Sequence, residues 1–241
     1  MKKKIIILTL FLFTVYIVAA QEKEPVWDYP VKPGSEEWAA FKSTEDMYKA
    51  VSIPEDVIKK MDTESLVQIC LNYPALPTVF LFNSPQDGFD NFYIHFNGIQ
   101  ELMVRKDAGE FLLKKYSALS LQDFNILWTL EKQGEFVHKY YYIELILAQP
   151  KILQSLKSDY RKLLLKEAIK KFEEKQSRND LFGYNALAVN AWILARTLAD
   201  ENKLSSKFSN ETELKLSLQS GQLVDYDLSF IYEQAKSYNY E

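Results

Sequence analysis

Cys70 is the only cysteine and His95 and His138 are the only histidines in the 241 residues, so nucleophilic and metal chemistry have few places to start. A thiol nucleophile needs a neighbouring base and an electropositive pocket. Cys70 instead lies in the apolar run Leu66-Val67-Gln68-Ile69-Cys70-Leu71 and reads as a small core residue. Neither histidine belongs to a His-x-x-x-His or Cys-x-x-Cys spacing, so no zinc site can be assembled from local residues. Asp87-Gly88-Phe89-Asp90-Asn91 lacks the alternating oxygen ligands of a calcium loop. The sequence carries no glycine-rich phosphate loop and no Gly-x-Ser-x-Gly elbow. These motifs assign no catalytic, cofactor-binding or metal-binding residue, and no cofactor is expected. Paired carboxylates for sugar hydrolysis stay open, because such pairs converge from distant positions and leave no local spacing. The 15 Tyr, 15 Phe and 4 Trp would suit stacking on sugars, although Phe124, Leu127 and Trp128 recur at helical spacing and read as core.

The least ordinary residue is Glu144. It interrupts Tyr140-Tyr141-Tyr142-Ile143-Glu144-Leu145-Ile146-Leu147-Ala148, a run otherwise apolar but for its phenol hydroxyls. A carboxylate buried there is costly unless it is paired. Arg196, in the other densely apolar stretch, is the natural counter-charge. The expectation is that Glu144 and Arg196 lie together as an internal ion pair fixing helix register, or that tyrosine hydroxyls satisfy Glu144.

These residues must be positioned by the rest of the chain, whose average composition (47% hydrophobic, 26% charged) excludes a disordered or collagen-like protein. Lys2, Lys3 and Lys4 precede an apolar run from Ile5 to Ala20, with Val18 and Ala20 as the small residues of a cleavage site. Residues 1–20 therefore read as a signal peptide, whose apolar run of 16 residues is shorter than the roughly 20 of a membrane-spanning helix. The expected location is periplasmic or extracellular, with no integral span after cleavage. Losing three of 29 basic residues leaves 26 against 33 acidic ones, a net charge of −7. Nucleic acid is not an expected partner, since no basic face supplies the attraction.

Residues 21–34 form an extended lead-in punctuated by Pro25, Pro30 and Pro33, and Trp27, Tyr29 and Val31 are expected to lie on the folded body. From Ser35 onward the patterning is helical and strand signals are poor. Helices are predicted at 35–49, 54–60, 63–72, 75–82, 85–95, 98–105, 108–118, 121–148 with a bend at Gly134, 151–156, 159–176, 185–202, 211–219 and 225–237. Start signals include Ser52-Ile53-Pro54-Glu55, Asp62-Thr63-Glu64, Ser84-Pro85-Gln86-Asp87, Asn97-Gly98, Asp107-Ala108-Gly109-Glu110, Ser120-Leu121-Gln122-Asp123 and Asn210-Glu211. Helix 159–176 carries an apolar stripe of Tyr160, Leu163, Leu164, Ile169 and Phe172. Residues 186–199 are apolar almost all round and should be central. The fold class is all-α, an irregular array of antiparallel helix pairs of α-solenoid or orthogonal-bundle type. A helical domain over 35–204 is followed by a C-terminal helical extension, 205–241, with a polar stretch near 203–210.

Four segments carry a resemblance: Asp28-Tyr29-Pro30-Val31-Lys32-Pro33-Gly34-Ser35-Glu36-Glu37-Trp38, Ser52-Ile53-Pro54-Glu55, Asn83-Ser84-Pro85-Gln86-Asp87-Gly88-Phe89 and Phe96-Asn97-Gly98-Ile99-Gln100-Glu101-Leu102. Together, over roughly residues 28–200, they resemble a group of uncharacterised exported helical proteins of gut and soil bacteria, Bacteroides-like species among them. The resemblance implies export and a helical fold and carries over no site residue. The expected function is an exported binding module for a protein or glycan partner, non-enzymatic in this reading, because stacked helices create long surfaces without chemistry. The alternative is a periplasmic or extracellular hydrolase acting on glycan or peptide.

Overall fold

The computed structural model describes residues 27–204 and 211–239. The leader 1–20, the start of the lead-in, most of the polar stretch near 203–210 with the Asn210 cap, and Tyr240 lie outside the described residues. Among the described residues thirteen α-helices follow in order: α1 Glu36–Ala39, α2 Thr44–Ala50, α3 Glu55–Lys60, α4 Thr63–Leu71, α5 Pro85–His95, α6 Asn97–Leu102, α7 Ala108–Ala118, α8 Leu130–Leu147, α9 Pro150–Ser155, α10 Ser158–Ser177, α11 Asn179–Asp200, α12 Glu211–Ser220 and α13 Asp225–Asn239. Two 3₁₀ segments, Leu76–Leu81 and Leu121–Asp123, complete the order, and no strand occurs among the described residues. The fold is all-α, a multi-helix array.

Several starts are set by side chains that satisfy the first free N–H groups of a helix. The N–H of Ser65 donates to Asp62 Oδ1 at 2.7 Å and that of Asp87 to Ser84 Oγ at 3.1 Å, the latter with Pro85 at the first helical position. Two expected caps do other work. Asn97 reaches back to the loop before α3, accepting from the Ile53 N–H at 3.1 Å and donating to the Ile53 carbonyl at 2.7 Å. Asp107 accepts from the Thr63 hydroxyl at 2.9 Å, tying α7 to α4.

Departures from the predicted helices have local causes. The span 35–49 is two helices, because Ser43 adopts an extended conformation and accepts from the Asp46 N–H, starting a second helix. Residues 76–81, with Pro77 near the start, wind as 3₁₀ rather than α. The span 121–148 is broken at 124–129, where Asn125 accepts from the Leu127 N–H and Thr129 caps α8. That helix then runs unbroken through Gly134. Phe124 and Trp128 still pack on Phe136, but from a loop, and Leu127 is 88% exposed. Finally, α11 starts six residues early and is kinked at Gly183, whose φ of 65° favours glycine.

The core is built around α8, α10 and α11. Residues 140–148 are all buried, as is nearly every residue of 186–198, and α11 packs most extensively on α10 and α8. On α10 the buried stripe is Leu164, Leu165, Ala168, Ile169 and Phe172, continued by Lys171 and Lys175, whereas Leu163 stays 40% exposed. In the N-terminal half α4, α6 and α7 pack together, and α5 lies on the 76–81 segment. The lead-in is anchored by Tyr29, whose hydroxyl donates to the Ile69 carbonyl at 2.8 Å, with Trp27 edge-on to its ring at 4.6 Å. At the other end α13 packs on α10 and α11 through Leu228, Ile231 and Ala235. No described helix is long and apolar enough to cross a membrane.

Candidate functional site

The burial that makes Glu144 unusual is complete: its side chain has no exposed surface. Oε1 accepts from the Tyr116 hydroxyl of α7 at 2.8 Å and from Asn190 Nδ2 of α11 at 2.9 Å. Oε2 accepts from Lys175 Nζ of α10, which also donates to the Ala186 carbonyl at 2.9 Å. The ion pair expected with Arg196 is therefore not formed; Lys175 supplies the cation, and a tyrosine hydroxyl helps to satisfy the carboxylate. Lys175 is fully buried between the Tyr140 and Phe182 rings. Burial lowers its pKa, against the opposing pull of Glu144. Burial and the nearby Glu144 both push the Tyr116 phenol far up. The set is enclosed by four helices, and the geometry gives it a role in fixing their register.

Arg196 takes a different set of acceptors. Its guanidinium donates to the carbonyls of Leu218 and Ala148 at 2.8 Å each and of Gln219 at 3.1 Å, and to Gln86 Oε1 at 3.0 Å. The guanidinium also lies 3.9 Å over the Trp192 ring. Burial brings its pKa down to about 10, so it remains a cation at neutral pH. The geometric reason for the exchange is that Arg196 sits near the C-terminal end of α11, where it meets the end of α8 and α12. Asn190, about two turns earlier, faces the carboxylate.

Cys70 has no exposed surface, and burial pushes its thiol well above the ordinary range, which suits a core residue. His95 stacks on Tyr48 at 4.3 Å. His138 packs against Phe80 and Tyr142 at 4.9 and 5.7 Å, with burial lowering its pKa. Among the described residues no group of three or more His, Cys, Asp and Glu side chains could hold a metal ion.

A cleft of about 450 Å³ opens between the 79–85 segment, α8, the start of α11 and the 221–224 turn. Phe80, Phe82 and Tyr184 line it and are 38%, 41% and 42% exposed. Asn83, Tyr141, Asn185 and Gln222 add polar groups, and none of the lining residues carries a charge. Comparison of the chain with protein-family models, curated proteins and solved structures finds no match. The cleft must therefore be interpreted from its own chemistry. Its walls are tied across large sequence separations. Gln222 Nε2 donates to the Asn83 carbonyl at 2.6 Å, and the Tyr184 hydroxyl donates to the Leu223 carbonyl. Phe80 is backed by Tyr141 at 4.6 Å and by His138.

None of the cleft residues stands out by local spacing, because four separate segments contribute them. The nearest sequence signal is Phe80-Leu81-Phe82 before the Ser84 cap, an apolar triplet whose residues remain exposed. Lys175 did carry a signal. Positions 164, 168, 171 and 175 follow one helical stripe, so the two lysines continue the face that Leu164 and Ala168 bury.

Proposed function

We propose that this chain is an exported binding module whose ligand occupies the cleft between the 79–85 segment, Tyr184 and the 221–224 turn. The observation that carries the reading is the lining itself: exposed aromatic faces joined by uncharged polar groups in a walled concavity of ligand size. Small-molecule sites commonly combine apolar walls with a few placed polar groups in about 300–1,000 Å³. The fully enclosed Glu144 set is assigned to structure, and the cleft to recognition. Export follows from the leader and agrees with the resemblance of residues 28–200 to exported helical proteins.

The test is a ligand screen by ¹H–¹⁵N NMR on the mature chain, using neutral saccharides, capped peptides and alkyl amphiphiles as probes. Saturable shift changes confined to residues 79–85, 184–188 and 221–224, without turnover of the probe, are expected. Turnover of any probe that is abolished by a single carboxylate or Cys70 substitution overturns the proposal in favour of a hydrolase. N-terminal sequencing of exported protein is expected to start at Gln21; retention of residues 1–20 overturns the export half.

A further inference from the structure

The cleft's chemistry narrows the class of ligand, an inference that rests on the binding-module reading above. Three polar groups in the lining, the Asn83 and Asn185 side-chain amides and the Tyr141 hydroxyl, make no hydrogen bond among the described residues. Each amide both donates and accepts, as does a phenol. A wholly apolar ligand would cover these groups and leave them unpaired, which costs affinity. A charged ligand would be desolvated against a lining without a counter-charge.

The aromatic groups add a shape requirement. Phe80 is packed on one side by the Tyr141, His138 and Tyr142 rings and still keeps 38% of its surface exposed. Tyr184 is tethered through its hydroxyl to the Leu223 carbonyl. Both rings are thus held in place before any ligand arrives, which reduces the ordering cost of binding. A preorganised aromatic face next to donor–acceptor amides matches a molecule with one C–H face and an edge of hydroxyl groups. A pyranose ring has that construction.

We infer that the cleft binds a short neutral saccharide, with Phe80, Phe82 and Tyr184 as stacking surfaces and Asn83, Asn185 and Tyr141 as hydroxyl partners. The experiment titrates the mature chain with neutral trisaccharides of glucose, xylose and galactose, with a trisaccharide of galacturonate, and with capped neutral tripeptides. Binding is followed by NMR shifts and calorimetry. At least one neutral trisaccharide is expected to saturate the cleft resonances. Phe82→Ala and Asn185→Ala are each expected to weaken it about tenfold at unchanged Tm, while Leu127→Ala, outside the cleft, leaves it unaltered. The galacturonate probe is expected to bind about tenfold more weakly than its neutral counterpart.

If tripeptides shift the cleft resonances and no neutral saccharide does, the saccharide inference is overturned while the binding-module reading stands. If a saccharide binds but neither cleft variant changes its affinity, the site assignment is overturned. If no probe shifts the cleft resonances, both readings are overturned.

Discussion

Glu144 is held by side chains from three other helices, and removing different members leaves different defects. Lys175→Met leaves a buried carboxylate with hydrogen-bond donors but no counter-charge. Glu144→Leu leaves a buried ammonium with the Ala186 carbonyl as its remaining acceptor. Each single substitution is expected to lower unfolding free energy by about 3–5 kcal/mol. The double variant is expected to lose much less than the sum, since replacing both charges by apolar side chains removes the desolvation cost as well. Urea denaturation of the four-member cycle checks this, and simple additivity would count against the pairing. That Glu144 needs a partner was legible from its apolar surroundings alone. The partner's identity was not read, although Lys175 lies on the same helical stripe as Leu164, Ala168 and Lys171. The stripe predicted for 159–176 named only apolar and aromatic side chains, of which Leu164, Ile169 and Phe172 are buried and Leu163 is exposed, and so left Lys175 unassigned to the interior.

At the scale of elements, α5 illustrates a helix placed by one small residue. A Cβ at Gly88 would lie 2.5 Å from the Val79 carbonyl oxygen, so α5 crosses the 76–81 segment at a distance only glycine permits. Gly88→Ala is expected to destabilise by about 1–3 kcal/mol and to shift the resonances of residues 76–82, measurable by thermal denaturation and NMR. Helix starts were legible where a cap acts within its own turn, as at Asp62 and Ser84. The starts at Asn97 and Asp107 were located to within a residue, but there the side chain serves tertiary structure instead of capping, as Asn97 does at Ile53 and Asp107 does at Thr63. The merged spans 35–49 and 121–148 share one cause. Apolar periodicity continued through residues whose side chains, Ser43 and Asn125, redirect the backbone locally.

Across the whole molecule, buried phenols set the response to alkali. Burial is the largest cause that raises the pKa of Tyr29, Tyr73, Tyr116, Tyr140 and Tyr142 above the ordinary 10.0, and it brings Tyr141 to about 12. A raised folded-state value means that the native protein retains protons the unfolded chain releases. Stability is therefore intact below pH 10 and falls as pH rises above it, by about 1.4 kcal/mol per pH unit for each such tyrosine. Lys171 and Lys175 act in the opposite sense. Their lowered values make stability rise with pH, up to the ordinary 10.5. The expected profile is flat or gently rising toward pH 10, then steeply falling; urea midpoints across pH 8–12 check it. The two central helices were legible at this scale because they are apolar on nearly every side. The cleft was not, because it exists only where four distant segments converge. The acceptors gathered by Arg196 have a temporal consequence. Its cation waits for the Leu218 and Gln219 carbonyls, which leave the ribosome more than twenty residues later. A nascent chain can close its middle helices first, but water must serve the Arg196 guanidinium in place of these carbonyls until α12 arrives to cover it.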